Sequence, residues 1–194
     1  EELVGSRALV DMVNLLMSRP NCQGTAQHLV LGVLRRHRLR SAVISVAGDE
    51  GALDAVGTFG LTVDELGEIR HLAIEDHMPI TDALRTGEPI VLVTSEQVRE
   101  AYPWMASAWT GPAPMAAWPL SLPDEDVGAL LLGFTDPPNE KALRADVAGV
   151  AAVLALYLGH LLTAVPTGDA SATAGTASGE RFVPETPTAA DVAA

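Results

Sequence analysis

Met115-Ala116-Ala117-Trp118-Pro119-Leu120-Ser121-Leu122 and Val127-Gly128-Ala129-Leu130-Leu131-Leu132-Gly133-Phe134 flank Pro123-Asp124-Glu125-Asp126, and this stretch decides the fold. Proline and acidic residues between two apolar runs mark a turn, so the flanking arms read as a β-hairpin. The second arm is almost wholly apolar, the pattern of a central strand covered on both faces. Upstream, Ser41 to Ala47 is short and rich in Val and Ile. The turn sequence Gly48-Asp49-Glu50-Gly51 follows it, and Ala52 to Phe59 returns as a second hairpin arm. Strands joined as hairpins pair antiparallel. Ile90 to Val93 adds one more short strand.

Helical periodicity fills the rest. Leu9, Met12, Val13 and Leu16 fall at three- and four-residue spacing, with Pro20 as a stop. Asn21 can cap a second helix carrying Cys22, Ala26, Leu29, Val30 and Val33 on one face. That helix runs out in Arg35, Arg36, His37, Arg38 and Arg40, read as solvated cations favoured at a helix C-terminus. Thr62 and Glu65 form a possible capping box for a helix to about Ala73. Pro79 and Gly87 frame a short helix, Ile80 to Thr86. Ser95 to Ala101 reads as one or two helical turns, and Tyr102 to Pro114 as loop. Asn139 caps a long final helix with Leu143, Val147, Val150, Leu154, Leu158 and Leu161 as its apolar stripe. Ala148, Ala152, Ala155 and Gly159 form a second stripe of small residues. The order of elements predicts an α+β fold with an antiparallel sheet of about five to six strands.

The 194 residues are 48% hydrophobic with a net charge of −13, and lysine occurs once, at Lys141. Such a surface repels a phosphate backbone, so no direct nucleic-acid binding by this segment is expected. One cysteine, Cys22, excludes an intramolecular disulfide and a multi-thiolate zinc site. The longest uninterrupted apolar run, Val147 to Leu158, is too short to span a bilayer. The chain opens at Glu1 without a secretory signal pattern. A cytoplasmic excerpt of a longer protein, away from the membrane, is the expectation. Residues 1–163 read as the domain. Residues 164–194, mostly Ala, Thr, Ser, Gly and Pro, read as a flexible linker towards an effector domain.

Two strings carry a family resemblance: Asp82-Ala83-Leu84-Arg85-Thr86-Gly87-Glu88-Pro89-Ile90, a helix-to-strand entry, and Trp118-Pro119-Leu120 followed by Val127-Gly128-Ala129-Leu130. In this order and separation they resemble the GAF family of ligand-sensing domains, from about Leu3 to Leu162. The resemblance implies a GAF/PAS-like sheet with the terminal helices on one face, and short helices with a ligand pocket on the other. It also implies a regulatory role in a bacterial signalling protein. The variant is similar to actinobacterial regulators in which such a domain precedes a LuxR-type helix-turn-helix, a phosphatase or a kinase. A transcriptional regulator acting as a homodimer through its terminal helices is the expectation, with a dimerisation platform around a vestigial pocket as the alternative.

The candidate chemistry is sparse. His71 and His77, with Glu75 and Asp76 between them, are the only His and carboxylate cluster near the expected pocket. No third or fourth ligand stands at a recognisable spacing, so no cofactor is expected, with a haem or metal held by His71 or His77 as the alternative. The lysine of the family's cyclic-nucleotide signature is missing from any pocket, and the methionine-sulfoxide reductases built on this fold need several cysteines. No Gly-x-Ser-x-Gly elbow, phosphate-cradling glycine loop or HExxH occurs, so no enzymatic activity is expected. Trp104, Trp109 and Trp118 are concentrated in a chain of few aromatics. They are a candidate wall for a small apolar or aromatic ligand, with Phe59, Leu72, Met78 and Ile80 opposite. Ordinary core packing plus a loop anchor is the other reading of the same residues.

Overall fold

The computed structural model describes residues 10, 12–14, 16, 21–48, 51–105 and 114–164. Val10, Met12, Val13, Asn14 and Leu16 are helical, and the remainder of the first helix lies outside the described residues. From Asn21 onward the elements are α1 (Cys22–His28), β1 (Leu39–Ala47), β2 (Ala52–Phe59), α2 (Val63–Ile69), β3 (His71–Ala73), α3 (Pro79–Thr86) and β4 (Ile90–Leu92). They continue with α4 (Ser95–Ala101), β5 (Met115–Leu122), β6 (Glu125–Phe134) and α5 (Glu140–Ala164).

The strands form one six-stranded sheet in the order β3-β2-β1-β6-β5-β4, and every neighbouring pair is antiparallel. Both expected hairpins are present, and the apolar arm β6 sits inside the sheet between β1 and β5. The capping box of Thr62 and Glu65 is made: Glu65 N donates to Thr62 Oγ1 at 3.2 Å, and Thr62 N donates to Glu65 Oε2 at 2.9 Å. Gly87 closes α3 with φ of 69°, a left-handed backbone that glycine adopts without a Cβ clash.

Three local expectations are corrected. The segment from Cys22 is not one α-helix: α1 widens into a π-helical turn, Leu29–Val33, and tightens into a 3-10 turn, Arg35–His37. Strand β1 starts at Leu39, so Arg40 belongs to the sheet and not to a helix end. The helix from Thr62 stops at Ile69, because His71–Ala73 leaves it to pair with Ala52–Asp54 at the sheet edge. Local periodicity could not anticipate this, since edge pairing depends on a strand brought in from elsewhere.

Alternation along the strands sends side chains into two layers. On the helix side, Ala42, Ile44, Trp118, Leu120, Leu130, Leu132 and Phe134 pack under Met12, Leu16, Ala26, Leu29 and the buried stripe of α5. That stripe is Leu143, Val147, Val150, Leu154 and Leu158, as its spacing predicts, whereas Leu161, expected to continue it, is only partly buried near the helix end. On the distal side, Val43, Ala117, Ala129 and Leu131 meet the short elements α2, α3 and α4. The small-residue stripe divides. Ala155 and Gly159 are buried, and a Cβ built at Gly159 would stand 2.6 Å from Leu122 Cδ1, whereas Ala148 and Ala152 are exposed. By length and composition, Glu140–Thr163 could also cross a membrane, with a mean hydropathy of 1.8. Here one side of it lies on β5 and β6. Residues 165–194, the rest of the expected linker, lie outside the described residues.

Candidate ligand-binding face

The distal layer has a floor of alanines interspersed with larger apolar side chains, and a roof of short elements. Its floor comes from Val43 on β1, Leu53 and Ala55 on β2, Leu72 on β3, Met115 and Ala117 on β5, and Ala129 and Leu131 on β6. Its roof comes from Ile69 of α2, from Met78, Ile80, Ala83 and Leu84 around α3, and from Val98, Tyr102 and Met105. None of the roof helices exceeds eight residues, too short to be stable without the packing beneath them.

A buried carboxylate ties α3 to the segment after α4. Asp82, in the first turn of α3, accepts a hydrogen bond on Oδ2 from the Tyr102 hydroxyl at 3.0 Å, and His77 Nδ1 stands 2.7 Å from the same oxygen. Arg85 donates to Oδ1. Burial pushes the Tyr102 phenol well above its ordinary range, and the bond to Asp82 pushes it further. The His77 and Tyr102 rings lie 4.8 Å apart, and Trp104 Nε1 donates to the His77 carbonyl at 3.1 Å. An aromatic rim thus closes over the end of α4. A carboxylate that accepts from three side chains fixes α3 against the segment after α4 more firmly than apolar contact alone.

Among solved structures, the chain is similar to the GAF domain of a phosphoenolpyruvate-protein phosphotransferase from Coxiella burnetii. That match has 17% identity and a TM-score of 0.67, over 83% of this chain and 96% of that one. It is similar too to the GAF domain of A. aeolicus nlh2 in an inactive state, at 13% identity and a TM-score of 0.62, over 82% and 98% of the two chains. The fold is that of a GAF domain. The same GAF fold also brings similarity to a type II free methionine-R-sulfoxide reductase from Thermoplasma acidophilum, at 12% identity and a TM-score of 0.56, over 81% and 96%. No family model and no curated protein matches the chain.

The GAF fold separates residues that the sequence reading grouped. Leu72, Met78 and Ile80 do meet in the distal layer, with Trp104 on its rim. Trp118 lies in the opposite, helix-side core, and Phe59 packs half-buried against that same core. The physical reason is strand parity: Trp118 follows Ala117, whose side chain points to the distal floor, so Trp118 must point the other way. Trp109 lies outside the described residues. His71 and His77 do not converge. His71 Nδ1 pairs with Asp54 Oδ1 at 2.6 Å across β2 and β3, a bond that raises the His71 pKa, and His77 turns to Asp82. Among the described residues no three His, Cys, Asp or Glu side chains converge to hold a metal.

The basic run is also not a free cationic patch. Arg36 and His37 both meet Asp146 of α5, Arg38 Nη1 meets Asp136 Oδ2 at 2.8 Å, and Arg40 Nη2 meets the buried Glu65 Oε1 at 3.0 Å. A cleft of about 230 Å³ lies here, lined by Arg36, His37, Arg38, Asp136 and Asn139. Its cations are already matched by acids. The site residues that sequence reading missed are Asp82, Arg85 and Tyr102. The available signal was an acid inside Pro79-Ile80-Thr81-Asp82-Ala83-Leu84, a run in which every residue is buried.

Proposed function

We propose that this chain is the sensory module of a bacterial signalling protein, that it binds a small apolar or aromatic molecule in the distal layer, and that it is not itself an enzyme. One observation carries this reading: the two faces of the sheet are covered in different ways. The helix side is closed by the long α5 and bulky side chains. The distal side is closed by short helices, two of them pinned by buried carboxylates, Asp82 on α3 and Glu65 on α2. A roof of that kind can open locally without unfolding the sheet, which is what ligand entry requires. Thiolate chemistry in particular is disfavoured at Cys22, the sole thiol. It is half-buried on the helix side, and burial pushes its pKa up, away from the thiolate form. The output we assign is transcriptional, through a helix-turn-helix outside this sequence, in the reducing cytoplasm. The resemblance to helix-turn-helix regulators supports it, and the full reading frame tests it.

The test of sensing is thermal melting against a panel of neutral aromatic and aliphatic metabolites. A ligand at one hundred times its Kd adds about 2.7 kcal/mol of apparent stability. A panel without a single saturable shift overturns the proposal. A second reading, the homodimerisation platform, is favoured by the outer face of α5, where Ala148, Ala152 and Leu156 are exposed and Leu156 is 65% accessible. In either reading α5 is the surface offered to a second copy of the chain.

A further inference from the structure

We propose that Ser45 is the polar anchor of the distal-layer site. The molecule held there is then uncharged and mostly apolar, with one hydroxyl or carbonyl that pairs with the Ser45 hydroxyl. This rests on the sensory reading above.

Ser45 lies on the central strand β1 between Ile44, in the helix-side core, and Val46, packed against that same core, so its side chain faces the distal layer. It is 1% exposed, and its Oγ has no hydrogen-bond partner. Buried hydroxyls are nearly always paired, and one left alone on a central strand calls for an explanation. The surroundings supply it. Ser45 stands beside Ala55 on β2 and Ala129 on β6, both part of the distal layer, so the floor is low on either side of the orphan oxygen. Bulky apolar roof groups, Ile69, Met78 and Ile80, complete the layer above a floor that rises to Leu53 and Leu131 further along the neighbouring strands.

The charge of the occupant follows from its neighbours. The charged groups of both signs near this layer are paired with one another: Asp82 with His77 and Arg85, and Glu65 with Arg40. An ionised ligand would enter without an available counter-charge and would lose its hydration. A neutral group needs only the one hydrogen bond that Ser45 can make.

The experiment uses the full chain and its Ser45→Ala variant, with phenol, toluene and benzoate as probes, read by thermal melting and tryptophan fluorescence. In the wild type, phenol and toluene raise the melting temperature saturably and benzoate does not. Ser45→Ala lowers the phenol-to-toluene affinity ratio about two- to tenfold, the worth of one net hydrogen bond. Toluene binding is kept, and the unliganded variant melts no lower than the wild type, because an unpaired hydroxyl has been removed. An unchanged ratio with toluene still bound overturns the Ser45 assignment and leaves the sensory reading standing. Benzoate binding as tightly as phenol overturns the uncharged class. A clear loss of unliganded stability makes the hydroxyl structural and overturns the anchor role. No response to any of the three probes overturns this proposal, and silence from the wider metabolite panel removes the sensory reading with it.

Discussion

His37 Nε2 stands 2.6 Å from Asp146 Oδ2, and this pair joins the turn ahead of β1 to the first half of α5. Arg36 reaches the same carboxylate. Burial alone would raise the Asp146 pKa, but hydrogen bonds from Arg36 and His37, with their charges, outweigh it and hold the carboxyl below its ordinary value. Because the folded pKa is depressed, the unfolded chain binds more protons in acid. The stabilisation is present above the ordinary carboxylate pKa and is lost as pH falls through the lowered folded value. Asp146→Asn should cost about 1–2 kcal/mol at neutral pH, at the low end because Arg36 is half-exposed and screened. Urea melts across the acid range check it. The gap between variant and wild type should close as pH falls below about 4.

The Tyr102 hydroxyl is one of three donors on Asp82, so Tyr102→Phe leaves the carboxylate two partners. A loss of about 1 kcal/mol is expected from denaturant melts. Asp82→Ala should cost more, since it strands Tyr102 and frees α3. The phenol titration adds a second check. Tyr102 and Tyr157 are the only tyrosines, and both are raised, first by burial. A raised folded pKa means stability that is complete below the unfolded value and is lost as pH rises through the folded one. Little phenolate absorbance should therefore develop at about pH 10 until the fold is lost.

The tryptophans should separate cleanly. Trp118→Ala empties a place in the helix-side core and should cost about 3–5 kcal/mol. Trp104→Phe removes the Nε1 hydrogen bond and part of a ring at a 38% exposed rim, and should change stability by about 1 kcal/mol, well short of Trp118→Ala. If Trp104 closes over a ligand, the second variant changes the fluorescence response to phenol and the first changes stability.

Ala152 projects from the outer face of α5, so Ala152→Glu places a charge in water and the monomer should remain folded. In a homodimer formed on that face, the same carboxylate would be buried without a partner. Analytical ultracentrifugation should show dimers for the wild type and monomers for the variant. Equal sedimentation of the two excludes this face as the interface.

Much of the fold could be read directly from periodicity and turn chemistry. The hairpins, the Thr62 capping box, the Pro79 and Gly87 frame of α3 and the buried stripe of α5 are all local patterns. Each depends on residues within a turn or two of one another, so the chain specifies them before it folds. The pocket was less legible. Ser45 was visible as the lone hydroxyl inside Ala42-Val43-Ile44-Ser45-Val46-Ala47, but its lack of a partner depends on strands β2 and β6 on either side.

What the sequence determined by itself was therefore most of the elements and their antiparallel class, β3 excepted, because hydrophobic period and turn residues act at short range. Tertiary structure alone decided which face each side chain joined. It put Trp118 and Leu72 on opposite sides of one sheet, through strand parity and register. It also converted an apparently solvated basic run into anchors for Asp146, Asp136 and Glu65, and gathered Tyr102, His77 and Arg85 on one carboxylate. Charge pairing of this kind is decided by which elements the packed core brings within reach, and no spacing along the chain encodes that distance.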